Sequence, residues 1–328
     1  MRDKKHIALA ATALALLMAV PVGCGQKPAP DATSLAEIEI ADRAVPLSAL
    51  TTLDTAMTPT PSGTLTAANQ KATIDYSNTS DGYVMVNFTT TTATRVKVLV
   101  MGPNTSDTDT RYTYDLPVQQ WATFPLSDGS GSYTVKVLEQ KADNGKYATV
   151  ADVTFNVALS SETAPFLRAN QYVNYSETVS PNTLAKAKEL TEGLTDPLKK
   201  VEAVYNFVIN NMTYDTEKAK TVPSGYLPVL DTVLAEKKGI CFDYAALMAG
   251  MLRSQGVPCK LITGWVDTGA YHAWISVWTA ENGWVSAIYF DGTAWHRMDP
   301  TFASSNKNSE KILQYIGTGS NYREKNSY

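Results

Sequence analysis

The chain of 328 residues contains three cysteines and three histidines, so the groups able to act as thiol nucleophile or imidazole base are few. Three cysteines build no disulfide framework, and three imidazoles build no His-rich metal cage. Cys241 stands in Lys238-Gly239-Ile240-Cys241-Phe242-Asp243-Tyr244-Ala245, where the pattern predicts the first turn of a helix. Free backbone N–H groups at a helix start stabilise a thiolate and can hold a developing oxyanion. Gly239 leaves room for close backbone approach. A buried structural cysteine is the plain alternative. Cys259 fits that alternative, since it follows Gly256-Val257-Pro258 into a strand with no polar partner beside it. A disulfide between the two is not expected. A helix of about 15 residues carries the chain roughly 20 Å. Three or four further residues recover only about 10 Å, whereas a disulfide needs Cα atoms within ~7 Å.

His272 opens a predicted strand in Tyr271-His272-Ala273-Trp274-Ile275-Ser276-Val277-Trp278. A base on a rigid strand can be aimed at a thiol on a packed helix. Asp299, in Met298-Asp299-Pro300-Thr301 at the end of a later strand, could accept the other imidazole N–H and fix its tautomer. Singly, each has an ordinary reading: a half-buried strand histidine, and a turn former before proline. His296 lies three residues before Asp299, so the two point to opposite faces of a strand, which favours His272 as the base. Asp243 occupies a favourable macrodipole position in the first helical turn, and no catalysis is assigned to it.

The N-terminal segment reads as an address. Arg2, Lys4 and Lys5 precede an almost unbroken apolar run from Ile7 to Val22, shorter than the ~20 residues that span a bilayer. A basic start and a short apolar stretch make a secretory signal. The run ends at Val22-Gly23-Cys24, which resembles a bacterial lipobox, with Pro21 where that pattern prefers Leu. The resemblance implies that residues 1–23 are a lipoprotein signal peptide and that Cys24 is lipidated. The mature protein is then an extracytoplasmic bacterial lipoprotein, tethered to a membrane surface. An ordinary signal peptide that happens to contain a cysteine is the alternative. Removal of the leader also deletes His6, leaving His272 and His296 as the imidazole bases.

The elements that must position these residues fall into three stretches. Residues 24–62, with Pro28, Pro30, Pro46, Pro59 and Pro61, read mainly as a tether. Residues 63–160 have period two: Val84, Val86 and Phe88, then Val96, Val98 and Val100, Tyr133, Val135 and Val137, and Val153, Phe155 and Val157. Asp81-Gly82, Asp128-Gly129 and Asn144-Gly145 punctuate them as turns. This predicts a β-sandwich that resembles immunoglobulin- or fibronectin-like modules at a coarse level. It holds no His and no Cys. From residue 161 to 328 the period moves toward 3.6. Helices are predicted over 183–194, from Asp196 as N-cap and Pro197 through Val208, over 230–237, and from Cys241 to a stop at Gly256. Strands follow over 260–266, 273–278, 284–289 and 294–298, with a turn at Asp291-Gly292, and a last helix over 309–316. Helices followed by an antiparallel sheet make this part α+β. The change of period places a polar linker, open to cutting, at Ser160–Ala164.

Composition limits the partners. Net charge is −4, from 28 Lys and Arg against 32 Asp and Glu, and the pI is about 5.5. No basic field exists to gather nucleic acid. Hydrophobic residues at 44% and charged ones at 18% suit packed cores. Five of the six tryptophans fall between Trp265 and Trp295 and are expected mostly to pack the sheet.

Together, these residues resemble the transglutaminase-like branch of the papain-like cysteine enzymes. The resemblance rests on Gly239-Ile240-Cys241-Phe242-Asp243-Tyr244-Ala245, the helix exit Leu252-Arg253 to Gly256-Val257-Pro258, Thr263-Gly264-Trp265, His272-Ala273-Trp274 and Asp299-Pro300-Thr301. More loosely it reaches back through Tyr214-Asp215 and the Asp196–Met212 helix to about Leu184, roughly half the chain. It implies a papain-like α+β domain with a Cys–His–Asp triad at Cys241, His272 and Asp299. The family's side-chain oxyanion donor has no clear match; Tyr226 and Tyr214 are the candidates. The expected function is thiol acyl transfer at the cell envelope on peptide or carboxamide bonds. The acyl-enzyme passes to water, as in a protease or amidase, or to an amine, as in a transglutaminase. Substrates would be proteins or cell-wall peptides, with no metal or organic cofactor. The rival is a non-catalytic module that binds envelope proteins or wall peptides.

Overall fold

The computed structural model describes residues 58–90, 95–106, 110–141, 145–280, 283–285, 289–290, 295–296, 299–305 and 321–328. The leader, Cys24, most of the tether, Asn144, Asp291-Gly292 and the helix expected over 309–316 lie outside them.

Alternating apolar residues build eight antiparallel strands in the first half: β1 (Thr66–Ala68), β2 (Ala72–Asp75), β3 (Tyr83–Phe88), β4 (Val96–Met101), β5 (Tyr112–Asp115), β6 (Trp121–Pro125), β7 (Gly131–Gln140) and β8 (Tyr147–Val157). They form two four-stranded sheets, ordered β1-β2-β3-β6 and β5-β4-β7-β8. Ile74, Val84, Val86 and Phe88 of one sheet and Val98, Val100, Val135 and Val137 of the other are buried in the same core. Gly82 and Gly129 take the left-handed conformation that their Asp-Gly signals announce, with φ of 84° each.

The second half begins with α1 (Pro181–Thr191) and α2 (Pro197–Asn211). Asp196 caps α2 by accepting from Leu198 N at 2.8 Å, with Pro197 as the first helical residue. Next come β9 (Thr213–Tyr214), α3 (Thr216–Thr221), α4 (Leu230–Glu236), β10 (Lys238–Gly239) and α5 (Cys241–Ser254). The chain continues through β11 (Cys259–Val266), β12 (Tyr271–Thr279), β13 (Gly283–Val285), β14 (Tyr289–Phe290), β15 (Trp295–His296), α6 (Pro300–Ser305) and β16 (Tyr322–Ser327). α5 is buried from Asp243 to Arg253, as a helix apolar nearly all round must be. It lies between α1, α2 and α4 on one side and β11 and β12 on the other. The main sheet is antiparallel, in the order β13-β12-β11-β16. Of the tryptophans in this half whose side chains are described, Trp274 is buried, Trp278 donates to Glu162, and Trp284 meets Phe166 edge-on at 5.0 Å.

Two expectations change. The stretch read as a linker is packed rather than loose. Ser160 bonds to the Ser80 carbonyl through both its N–H and its hydroxyl, at 2.8 Å each, and Ala164, Pro165 and Phe166 are buried in a 3₁₀ turn. The two halves also meet along a shared aromatic seam. Tyr172 stacks on Tyr328 at 4.0 Å, and Tyr112 and Tyr114 of β5 pack edge-on to Tyr328 at 5.7 and 5.9 Å. Most buried apolar residues of both halves form one continuous cluster, and Ile262, Val266, Trp274 and Tyr322 form a second, smaller one.

Arg253, near the end of α5, is fully buried. Its guanidinium donates to the carbonyls of Cys259 and Arg168 at 2.8 Å each, and to that of Tyr328.

Candidate active site

Cys241 is the first residue of α5, and its placement is fixed from three directions. The short parallel pair β9–β10 sets Tyr214 beside Gly239, and Asp215 N donates to Gly239 O at 2.8 Å. Gly239 has to lack a side chain, because a Cβ there would lie 2.6 Å from that of Asp243. Asp243 reaches back to Ile240 N at 2.8 Å and locks the turn into the helix. The N–H groups of Cys241 and Phe242 have no carbonyl partner within α5, as at any helix start, and are available to an anion.

Asp243 does more than favour the helix dipole. Its side chain is fully buried and pairs with Lys218 Nζ at 2.7 Å, while Tyr226 OH donates to it at 2.5 Å. Lys218 also donates to Tyr226 OH at 2.7 Å and lies 4.4 Å from the ring centre. The Tyr226 hydroxyl is therefore committed beneath the helix start. The half-buried Tyr214 lies beside Cys241, and burial pushes its phenol pKa up.

His272, second residue of β12 and 7% exposed, is held opposite Gly264 of β11. Its Nε2 is 2.5 Å from Asp299 Oδ2, which leaves Nδ1 for the Cys241 thiol, its other partner. Burial disfavours the imidazolium. The Asp299 carboxylate and, in its ionised form, the Cys241 sulfur outweigh that effect and raise the His272 pKa from 6.5 to about 10.

Asp299 does not end a strand as expected. It immediately precedes α6, and its Oδ1 accepts from Thr301 N at 2.9 Å. It thus caps α6 through the same Asp-Pro signal that opens α2. Oδ2 is then free to face His272 and Tyr322, whose phenol donates to it at 3.2 Å. Ser304 of α6 donates to Tyr244 OH of α5 at 3.0 Å, so the helix carrying Cys241 is clasped to the one that begins at Asp299.

Cys241, His272 and Asp299 are therefore brought together. Cys259 stands apart. It is fully buried and free of any disulfide, and burial pushes its thiol pKa up to about 12. The His296 backbone pairs with Tyr289, and its side chain lies outside the described residues. Tyr322 and Lys218 escaped the sequence reading: both are common residue types in segments without periodicity.

Residues 184–300 match the model of the transglutaminase-like superfamily, a span that contains Cys241, His272 and Asp299. The chain is 27% identical over 157 residues to the uncharacterized protein YebA of Bacillus subtilis, covering 42% of this chain and 21% of that protein. It is also 27% identical over 154 residues to a protein-glutamine gamma-glutamyltransferase of Pseudomonas aeruginosa, covering 43% and 21%. The matched stretch thus spans about a fifth of the length of these curated relatives. Among solved structures, the periplasmic domain of TgpA from Pseudomonas aeruginosa aligns with a TM-score of 0.33 at 16% identity, over 76% of this chain and 99% of that one.

Proposed function

We propose that the transglutaminase-like domain at residues 184–300 makes this chain a thiol acyl-transfer enzyme, with Cys241 as nucleophile, His272 as base and Asp299 as its orienting carboxylate. One observation carries the reading: a buried imidazole partnered by the Cys241 thiol on one side and by a carboxylate at 2.5 Å on the other. With its pKa raised to about 10, His272 already holds a proton at neutral pH, so Cys241 attacks a carboxamide or peptide carbonyl carbon as the thiolate of a thiolate–imidazolium pair. The oxyanion is met by the N–H groups at the start of α5. As the tetrahedral species collapses, the C–N bond breaks and the imidazolium returns its proton to the leaving amine. A thioester remains on Cys241. Water or a second amine, deprotonated by His272, then releases the acyl group. The Pseudomonas aeruginosa relative's name favours a glutamine carboxamide as donor and an amine as acceptor. The expected setting at a bacterial envelope favours hydrolysis of peptides. A non-catalytic binder has no need of the partnered imidazole, which supports the enzyme reading over the rival.

The first half we read as an immunoglobulin- or fibronectin-like sandwich. The leader and Cys24 we read as a lipid anchor; Cys24→Ser should move the protein out of the membrane fraction or leave the leader uncleaved, and unchanged fractionation and mass would overturn that reading. For the chemistry, iodoacetamide at mildly acidic pH should modify Cys241 and spare Cys259. His272→Ala should slow that reaction at least tenfold, about 1.4 kcal/mol in activation free energy. Equal labelling of both thiols, indifferent to His272, would remove the basis for calling the protein an enzyme.

A further inference from the structure

We propose that Tyr322 is a positioning residue of this site, holding the Asp299 carboxylate in the one orientation that serves His272. The proposal rests on the reading of Cys241, His272 and Asp299 just given.

Tyr322 begins β16, where it pairs with Val266 of β11, and it is 9% exposed. Its phenol reaches the same oxygen of Asp299 that His272 Nε2 uses, at 3.2 Å beside 2.5 Å. Thr301 N holds the other oxygen at 2.9 Å. These donors come from β12, β16 and the start of α6, so rotation of the carboxyl about its Cβ–Cγ bond breaks at least one of them. The ring is seated independently of the hydroxyl, edge-on to Trp274 at 5.0 Å and tilted against His272 at 6.3 Å. Approach of β16 depends on Gly264: a Cβ there would lie 2.1 Å from the Arg323 carbonyl oxygen. The bulge between Thr263 and Gly264 falls at this place. The strand is thus drawn in where it delivers Tyr322 to Asp299.

The role follows from the proton movements. While the imidazolium holds its Nδ1 proton toward the sulfur, its Nε2–H must keep a fixed acceptor, or the ring swings away. A phenol donating to that acceptor fixes its direction.

The test compares Tyr322→Phe, Tyr322→Ala and His272→Ala in the full chain, reading the rate of Cys241 alkylation by iodoacetamide against pH, with thermal midpoints alongside. Phe keeps the ring on Trp274 and removes only the donor. We expect Tyr322→Phe to melt within a few degrees of the parent and to label Cys241 about threefold to tenfold more slowly at the optimum. The slowing should persist across the pH range read, since Phe leaves the ring and the fold in place. If only the ring matters, Phe restores the parental profile while Ala does not, and the proposal is overturned. If His272→Ala leaves labelling unchanged, the reading of the site itself falls, and this role with it.

Discussion

Asp299 divides its two oxygens between two tasks, capping α6 with Oδ1 and facing His272 with Oδ2. The helix cap therefore aims the carboxylate, and the imidazole inherits that aim. Because His272 titrates higher in the folded protein than the ordinary 6.5, its protonation favours folding. That contribution is fully present below pH 6.5 and is lost as pH rises toward about 10. Urea unfolding of the parent and of His272→Gln across pH 6 to 10 should show their stability difference falling steadily; a difference flat in pH would count against the pairing. At this scale the sequence was readable where residue types are rare. With Cys24 read as lipidated and His6 in the leader, two thiols and two imidazoles allow few pairings, and Cys241 with His272 joins a helix start to a strand. Tyr322 is one of 17 tyrosines. Its task is set by a strand pairing that brings residue 322 beside 266, a relation without local signature.

Elements with a strong period or a cap were legible: α2 from Asp196-Pro197, α5 from its apolar face, β11 and β12 from their apolar and aromatic runs. β16 was not, because Tyr-Arg-Glu-Lys-Asn-Ser is an edge strand, exposed at Arg323, Glu324 and Lys325, with no apolar alternation. β9 and β10 are two residues each, too short to carry a pattern. The Asp-Pro pair at 299–300 carries the helix-start signal, although the sequence pattern places it at the end of a strand. Gly264 shows what β16 contributes. Gly264→Ala would set a methyl 2.1 Å from the Arg323 carbonyl oxygen and 2.9 Å from the Trp274 ring. Strain of this kind costs about 1–3 kcal/mol, and here it pushes out the strand that carries Tyr322. Thermal unfolding should show a midpoint lower by several degrees, with slower labelling of Cys241. An unchanged midpoint together with unchanged labelling would mean that β16 can shift without consequence.

In the whole molecule, the change of period near residue 160 marks where strands give way to helices, and it was read as the edge of a separable unit. Periodicity reports how each element buries its own face; it does not report which elements share a core. The seam of Tyr112, Tyr114, Tyr172 and Tyr328 crosses that edge, and Tyr172 continues it to Phe242, the neighbour of Cys241, at 5.5 Å. A chain beginning at Ser161 loses the sandwich side of the seam. We expect it to unfold at a markedly lower temperature than the two-part protein and to lose the preference for Cys241 over Cys259. If it melts at the parental temperature with that preference intact, the halves are independent after all.

Arg253 gives the fold an order in time. Its charge is accommodated only when the carbonyls of residues 168 and 328, which are 85 and 75 positions away, have both arrived. Before then a cation sits in a forming core with its donors unmet, a state that low-dielectric surroundings penalise heavily. α5 can coil in about a microsecond, yet it cannot settle. Loop closure over such separations is slow. We expect the helix that presents Cys241 to stay unlocked until the segment 321–328 has docked. Assembly of the surroundings of Cys241 then waits on a contact made 75 residues beyond Arg253.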